Sequence, residues 1–123
     1  MVVLRAPILL PGLNRLMRMH FRDRKRMQAD VTMALMCCNT AEQRRPIEGP
    51  VRVTYTRIYA RLPLDCDNAA ASAKFALDAL QHLGVLPDDG PRVIVEYVVR
   101  QRKVATVKEE GFTLEIEPLE DKP

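Results

Sequence analysis

Residues 51–84 read VRVTYTRIYARLPLDCDNAAASAKFALDALQHLG. Val51, Val53 and Tyr55 alternate with Arg52, Thr54 and Thr56, the period of a strand with one face buried. The apolar set changes phase at Ile58, Ala60 and Leu62, which suggests a bulge or a change of partner. From Asp67 or Asn68, either one a suitable cap, to Gly84, placed to end a helix, the spacing turns helical. Ala70, Ala73, Leu77 and Leu80 then form one stripe. A second apolar β run, RVIVEYVVRQRKV over 92–104, follows the turn VLPDDGP. This segment therefore reads as strand, helix, strand.

Outward from that unit, residues 2–10 are rich in Val, Leu and Ile and suit a strand stopped by Pro11 and Gly12. Met27, Val31, Ala34, Leu35 and Cys38 recur at helical spacing between Phe21 and Cys38. NTAEQRRPIEGP, residues 39–50, has the composition of a loop. Near the end of the chain, Phe112, Leu114 and Ile116 alternate with Thr113, Glu115 and Glu117 as a strand. The order β-α-β-α-β-β, without repeat or linker, predicts an α+β fold: two helices packed on one small mixed sheet, a single domain over 1–123.

Composition narrows the classes. With 123 residues, 47% of them hydrophobic, the chain can bury one core. Trp is absent and aromatics are scarce, so aliphatic side chains and Met carry the packing. Met17, Met19, Met27, Met33 and Met36 read as packing or dimer interface. Three cysteines, two of them adjacent at Cys37 and Cys38, build neither a disulfide framework nor a zinc site. The broken apolar run at the start is too short for a signal peptide or membrane span, so the expectation is a cytoplasmic protein with no membrane partner. Charge is split: residues 1–61 carry twelve Lys/Arg against four Asp/Glu, and residues 62–123 carry seven against twelve. Such asymmetry suggests a polyanion-facing surface beside an acidic site.

The acidic candidates are Asp65 and Asp67, where a strand runs into a helix. Residues two apart in extended chain point the same way, so both carboxylates can reach one cation. Lys74 and Asp78 follow Asp67 on the same helical face. Hard oxygen donors of this kind suit Mg²⁺. A structural reading competes: a helix cap, an i,i+4 ion pair from Lys74 to Asp78, and an ordinary Asp-Asp-Gly-Pro turn account for the same residues. On spacing alone that reading is favoured. Haloacid-dehalogenase phosphatases and nucleotide-sugar transferases, other users of Asp-x-Asp, need longer chains and further motifs.

The string LDCDNAAASAKFALDALQHLGVLPDD, residues 64–89, resembles the signature of RusA-type Holliday-junction resolvases. That signature has Asp-x-Asp-Asn, a downstream Lys, Asp-x-Leu, a Gly at the helix end and a paired Asp-Asp before a strand. The resemblance implies a Mg²⁺-dependent, structure-selective endodeoxyribonuclease that cuts four-way junctions or other branched DNA as a homodimer. By motif position Asp65, Asp67 and Asp89 match the metal-binding acids, and Lys74 matches the essential lysine. The family's lysine comes about one helical turn sooner, and of the family's Pro-rich lead to Ser-x-Asn only PGLN, with Asn14, is present. The alternative is a branched-DNA-binding dimer of the same scaffold without turnover. A general phosphodiesterase would share the metal chemistry.

Geometry raises a difficulty for this assignment. A continuous helix from Asp67 to Leu83 spans on the order of 24 Å, and six residues return at most about 20 Å. Either the helix is short or bent, or Asp89 comes from a second subunit. Phosphate contacts are expected from Asn14, Arg15, Arg18, Arg22, Arg24, Lys25 and Arg26, with Arg57, Arg61, Arg100, Arg102 and Lys103 behind them. His20 and His82 read as surface or interface residues. Cys66 is expected to point away from its flanking aspartates, into the core.

Overall fold

The computed structural model describes residues 1–119. Four strands, β1 (Val2–Ala6), β2 (Val51–Tyr59), β3 (Ile94–Lys103) and β4 (Gly111–Pro118), form one sheet in the order β1-β4-β2-β3. The pairs β1/β4 and β2/β4 are antiparallel and β2/β3 is parallel, so the sheet is mixed. Helices α1 (Leu13–Arg18) and α2 (Phe21–Cys37) lie between β1 and β2, and α3 (Cys66–Ser72) and α4 (Lys74–His82) lie between β2 and β3. The α+β expectation holds: α2 matches the helix expected from Phe21 to Cys38, α1 is an additional short helix before it, and only the second expected helix is divided, into α3 and α4.

One face of the sheet is apolar. Val2, Leu4, Val51, Val53, Tyr55, Phe112, Leu114 and Ile116 meet Val31 and Leu35 of α2 and Ala76, Ala79 and Leu80 of α4 in a single core. Burial of that aliphatic area is the main stabilising term. The other face carries Thr54, Thr56, Thr113, Glu115 and an ion-pair chain in which Arg52 lies 2.7 Å from Glu96 and 2.9 Å from Glu117. Buried Asn39 ties β1 to α2: its amide accepts from Arg5 N–H and donates to the carbonyls of Arg5 and Leu35. No helix of the described residues is long and apolar enough to cross a membrane.

Several boundaries differ from the sequence reading. β2 ends at Tyr59, and Leu62, read as part of its apolar set, is exposed. The register irregularity lies at Val51/Arg52, at the opposite end of the strand. The helix cap is Asp65, earlier than expected, and the buried residues are Ala69, Ser72, Ala73, Phe75, Ala76, Ala79 and Leu80, which leaves Ala70 exposed and Leu77 half-buried. Cys38 is exposed as the C-cap of α2. Cys66 is exposed too, because it is the first helical residue after the cap and α3 turns it to solvent.

Tyr55 joins the layers. Ser72 Oγ donates to the Ala69 carbonyl at 2.6 Å, so the 2.9 Å contact with Tyr55 is one in which the phenol donates to Ser72. Burial pushes the Tyr55 phenol up to about 12. A group raised on folding contributes stability that is complete below its unfolded value, near 10, and lost as pH rises through its folded one. Alkaline denaturation between about pH 10 and 12 is therefore expected to be shallower in Tyr55→Phe. The same variant should lose about 1 kcal/mol near neutrality, since Ser72 keeps its bond to Ala69. Urea melts at several pH values measure both effects.

Candidate active site

The site begins where β2 gives way to α3. Asp65, in extended backbone, is the N-cap of α3: its Oδ1 accepts from the Asn68 backbone N–H and from the Asn68 side-chain amide, each at 2.9 Å. These two bonds hold the Asp65 carboxyl below the usual range. A charge-assisted cap of this kind satisfies a helix N-terminus and keeps the acid ionised. Asp67 sits in the first turn, exposed. Among the described residues no cation lies within ion-pairing distance of either one: the ion pairs are Arg52 with Glu96 and Glu117, and Lys74 with Asp78.

Helical geometry is interrupted at Ala73, which is both C-cap of α3 and N-cap of α4. Lys74 starts the second helix, and its Nζ lies 3.7 Å from Asp78 Oδ2, a loose i,i+4 pair. α4 ends at Leu83, and Gly84 at φ +74 reverses the chain. Asp88 Oδ1 then accepts from Gly90 N–H and shapes the turn. Asp89 instead lines an open cavity of about 490 Å³ together with Lys74, Asp78, Arg24 and apolar Leu16 and Phe75. The distance problem, which concerns Asp89 and the Asp65/Asp67 pair, stands, while Lys74 and Asp89 share one cavity within one chain. Asp78 joins them, a residue the sequence reading placed on this face without giving it a role.

Asp65 and Asp67 do not line that cavity, although Ala70 and Ala71, one turn further along α3, do. Among the described residues no group of three or more His, Cys, Asp or Glu side chains is gathered as a metal site. The expected trio of Asp65, Asp67 and Asp89 is therefore not assembled as one cluster; the acids fall into a pair at the head of α3 and Asp89 in the neighbouring cavity. Asp67 is helical and not in extended chain with Asp65, so the extended-chain reason for both carboxylates facing one cation does not apply; what remains is a donor set of two carboxylates, a number that Mg²⁺ takes beside its waters.

Asn14 connects the two motifs read in the sequence. Its backbone N–H donates to Asn68 Oδ1 at 3.0 Å, so PGLN touches DCDN directly. Arg15, Arg18, Arg22, Arg24, Lys25 and Arg26 are all exposed on α1 and α2, and none has a carboxylate within 4.0 Å among the described residues. Arg15, Arg18 and Arg26 flank one cleft between the two helices, and Lys25 Nζ lies 4.6 Å from the Phe21 ring centre. His20 caps α2, its Nδ1 accepting from Arg22 N–H. Arg57 departs from expectation: it is 5% exposed, its Nε donates to the Leu10 carbonyl at 2.9 Å, and its Nη1 is buried without a partner. It points to the helix side of β2, beneath the loop leading to α1, and is no surface phosphate ligand. No protein-family model matches the chain, and no curated protein matches it.

Proposed function

We propose that the protein is a Mg²⁺-dependent, structure-selective endodeoxyribonuclease of the RusA type, acting on four-way junctions or other branched DNA as a homodimer. The observation that carries this reading is the placing of ionised Asp65 and free Asp67 at the head of α3, beside a cavity holding Lys74 and Asp89. Asp65 and Asp67 would hold the metal, whose chemistry is to activate water and neutralise charge on the leaving oxygen. Lys74, more than two-thirds exposed at its side chain, is free to turn from Asp78 toward a phosphate and offset charge developing there. This lysine, about one helical turn later than in the family pattern, directly follows the break at Ala73. Asp89, which lines the neighbouring cavity in its own chain, would complete the metal site from a second subunit of the dimer. Arg15, Arg18, Arg22, Arg24, Lys25 and Arg26 supply phosphate contacts that position the duplex arms.

A binding-only dimer is the second reading, favoured by the separation of Asp89 from the other acids. Cleavage of a synthetic four-way junction beside linear duplex of the same sequence, with and without Mg²⁺, distinguishes them. Paired nicks across the junction that require Mg²⁺ are expected. A junction bound and left intact in every condition would assign the acids a structural role. Lys74→Ala is expected to slow cleavage by roughly 10²–10³-fold, the effect of removing one donor from a developing anion, with binding retained in a gel-shift assay.

A further inference from the structure

We infer that Asn68 is a positioning residue that sets the Asp65 carboxylate for cation binding and is itself seated by the Gly12–Asn14 turn. This rests on the metal-site reading of Asp65 and Asp67. The Asn14 N–H needs an acceptor and finds Asn68 Oδ1, which fixes the amide's orientation. Nδ2 is then turned to Asp65, where it and the Asn68 backbone N–H both donate to Oδ1. Asn68 thus occupies one carboxylate oxygen twice and leaves the other as the oxygen presented to a cation. An outer partner that holds a ligating carboxylate in this way also sets its basicity and direction.

The fit is tight at Gly12, where any Cβ would press on the Asn68 side chain. A Cβ there would stand 3.0 Å from Asn68 Cβ, 3.0 Å from Asn68 Oδ1 and 3.2 Å from Leu64 Cδ1. The loop bearing Gly12 is anchored from below, since buried Arg57 Nε holds the Leu10 carbonyl two residues earlier. Contacts therefore run from Arg57 in the sheet through Leu10 and Gly12 to Asn68 and Asp65. A cap alone needs only Asp65 and a backbone N–H; the side-chain amide, its seat and the glycine are unexplained by capping.

The test is Mn²⁺ binding to the full chain without DNA, followed by electron paramagnetic resonance and by selective broadening of backbone amide signals. Wild type is expected to bind, with broadening centred on residues 65–68. Asn68→Ala keeps the backbone N–H that caps α3, and is expected to weaken Mn²⁺ affinity by roughly 10–100-fold. Gly12→Ala, which leaves Asn68 in place and crowds its amide, should shift affinity in the same direction. No Mn²⁺ binding by wild type would sink the metal-site reading and this inference with it. Binding by wild type with unchanged affinity in folded Asn68→Ala would overturn the inference alone. Should Asn68→Ala fail to fold, unchanged affinity in Gly12→Ala would do the same.

Discussion

Asp67→Asn is expected to abolish detectable junction cleavage in Mg²⁺ while leaving junction affinity and unfolding midpoint close to wild type. Asp67 is exposed in the first turn of α3 and caps nothing, so its loss removes no hydrogen bond the fold depends on. An isosteric amide keeps shape and forfeits charge, and a hard divalent cation bound by one or two carboxylates depends on each. Loss of a direct ligand should exceed the roughly 10–100-fold cost of losing an outer partner. Asp65→Asn makes the instructive comparison, since asparagine is as good an N-cap as aspartate. It too should fold and fail to cleave, whereas Asp65→Ala should additionally cost about 1 kcal/mol of stability. Single-turnover cleavage and chemical denaturation of the three variants measure this. Cleavage retained in Asp67→Asn would assign the whole Asp65-x-Asp67-Asn68 motif to helix capping.

Periodicity made the sheet legible because each of its buried faces has a simple period. The alternation at Val51, Val53 and Tyr55 and at Phe112, Leu114 and Ile116 puts those residues on the helix-facing side of β2 and β4. Strand order was not legible: β4 inserts between β1 and β2, a pairing of residues far apart in sequence that no local pattern encodes. The break at Ala73 was hidden for a related reason. Alanine is the best helix former, and the run from Ala69 to Ala76 gives no local reason to stop. Asp65 and Asp67 were read as site acids on motif alone, and their lack of a cation partner among the described residues needed coordinates. Arg57 went astray because an arginine in an alternating strand looks like a solvent-facing residue, whereas its phase matches buried Val53 and Tyr55. That phase was the available signal.

Removing positive charge from α1 and α2 is expected to produce the largest change in binding. Arg15, Arg18, Arg22, Arg24, Lys25 and Arg26 lie within two short helical segments, exposed and without carboxylate partners among the described residues. Crowding like charges at the start of α2 opposes its dipole, an arrangement that a bound anion relieves. Each cation that neutralises a phosphate on duplex DNA releases counterions and adds about 0.9 to the slope of log affinity against log salt. If all six engage the arms of a junction, affinity should fall by on the order of 10³-fold or more between 50 and 200 mM salt. Arg15, Arg18, Arg22 and Arg26 replaced together by Gln should flatten that slope by roughly 0.9 for each phosphate no longer neutralised. The effect should be equal on junctions of different sequence, since phosphate contacts carry no base information. The Gln side chains keep the helices, whose burial rests on Leu16, Val31 and Leu35, so circular dichroism should be unaltered. A salt slope unchanged by the four substitutions would show these arginines to be an ordinary solvated face, and the DNA surface would then lie elsewhere on the molecule.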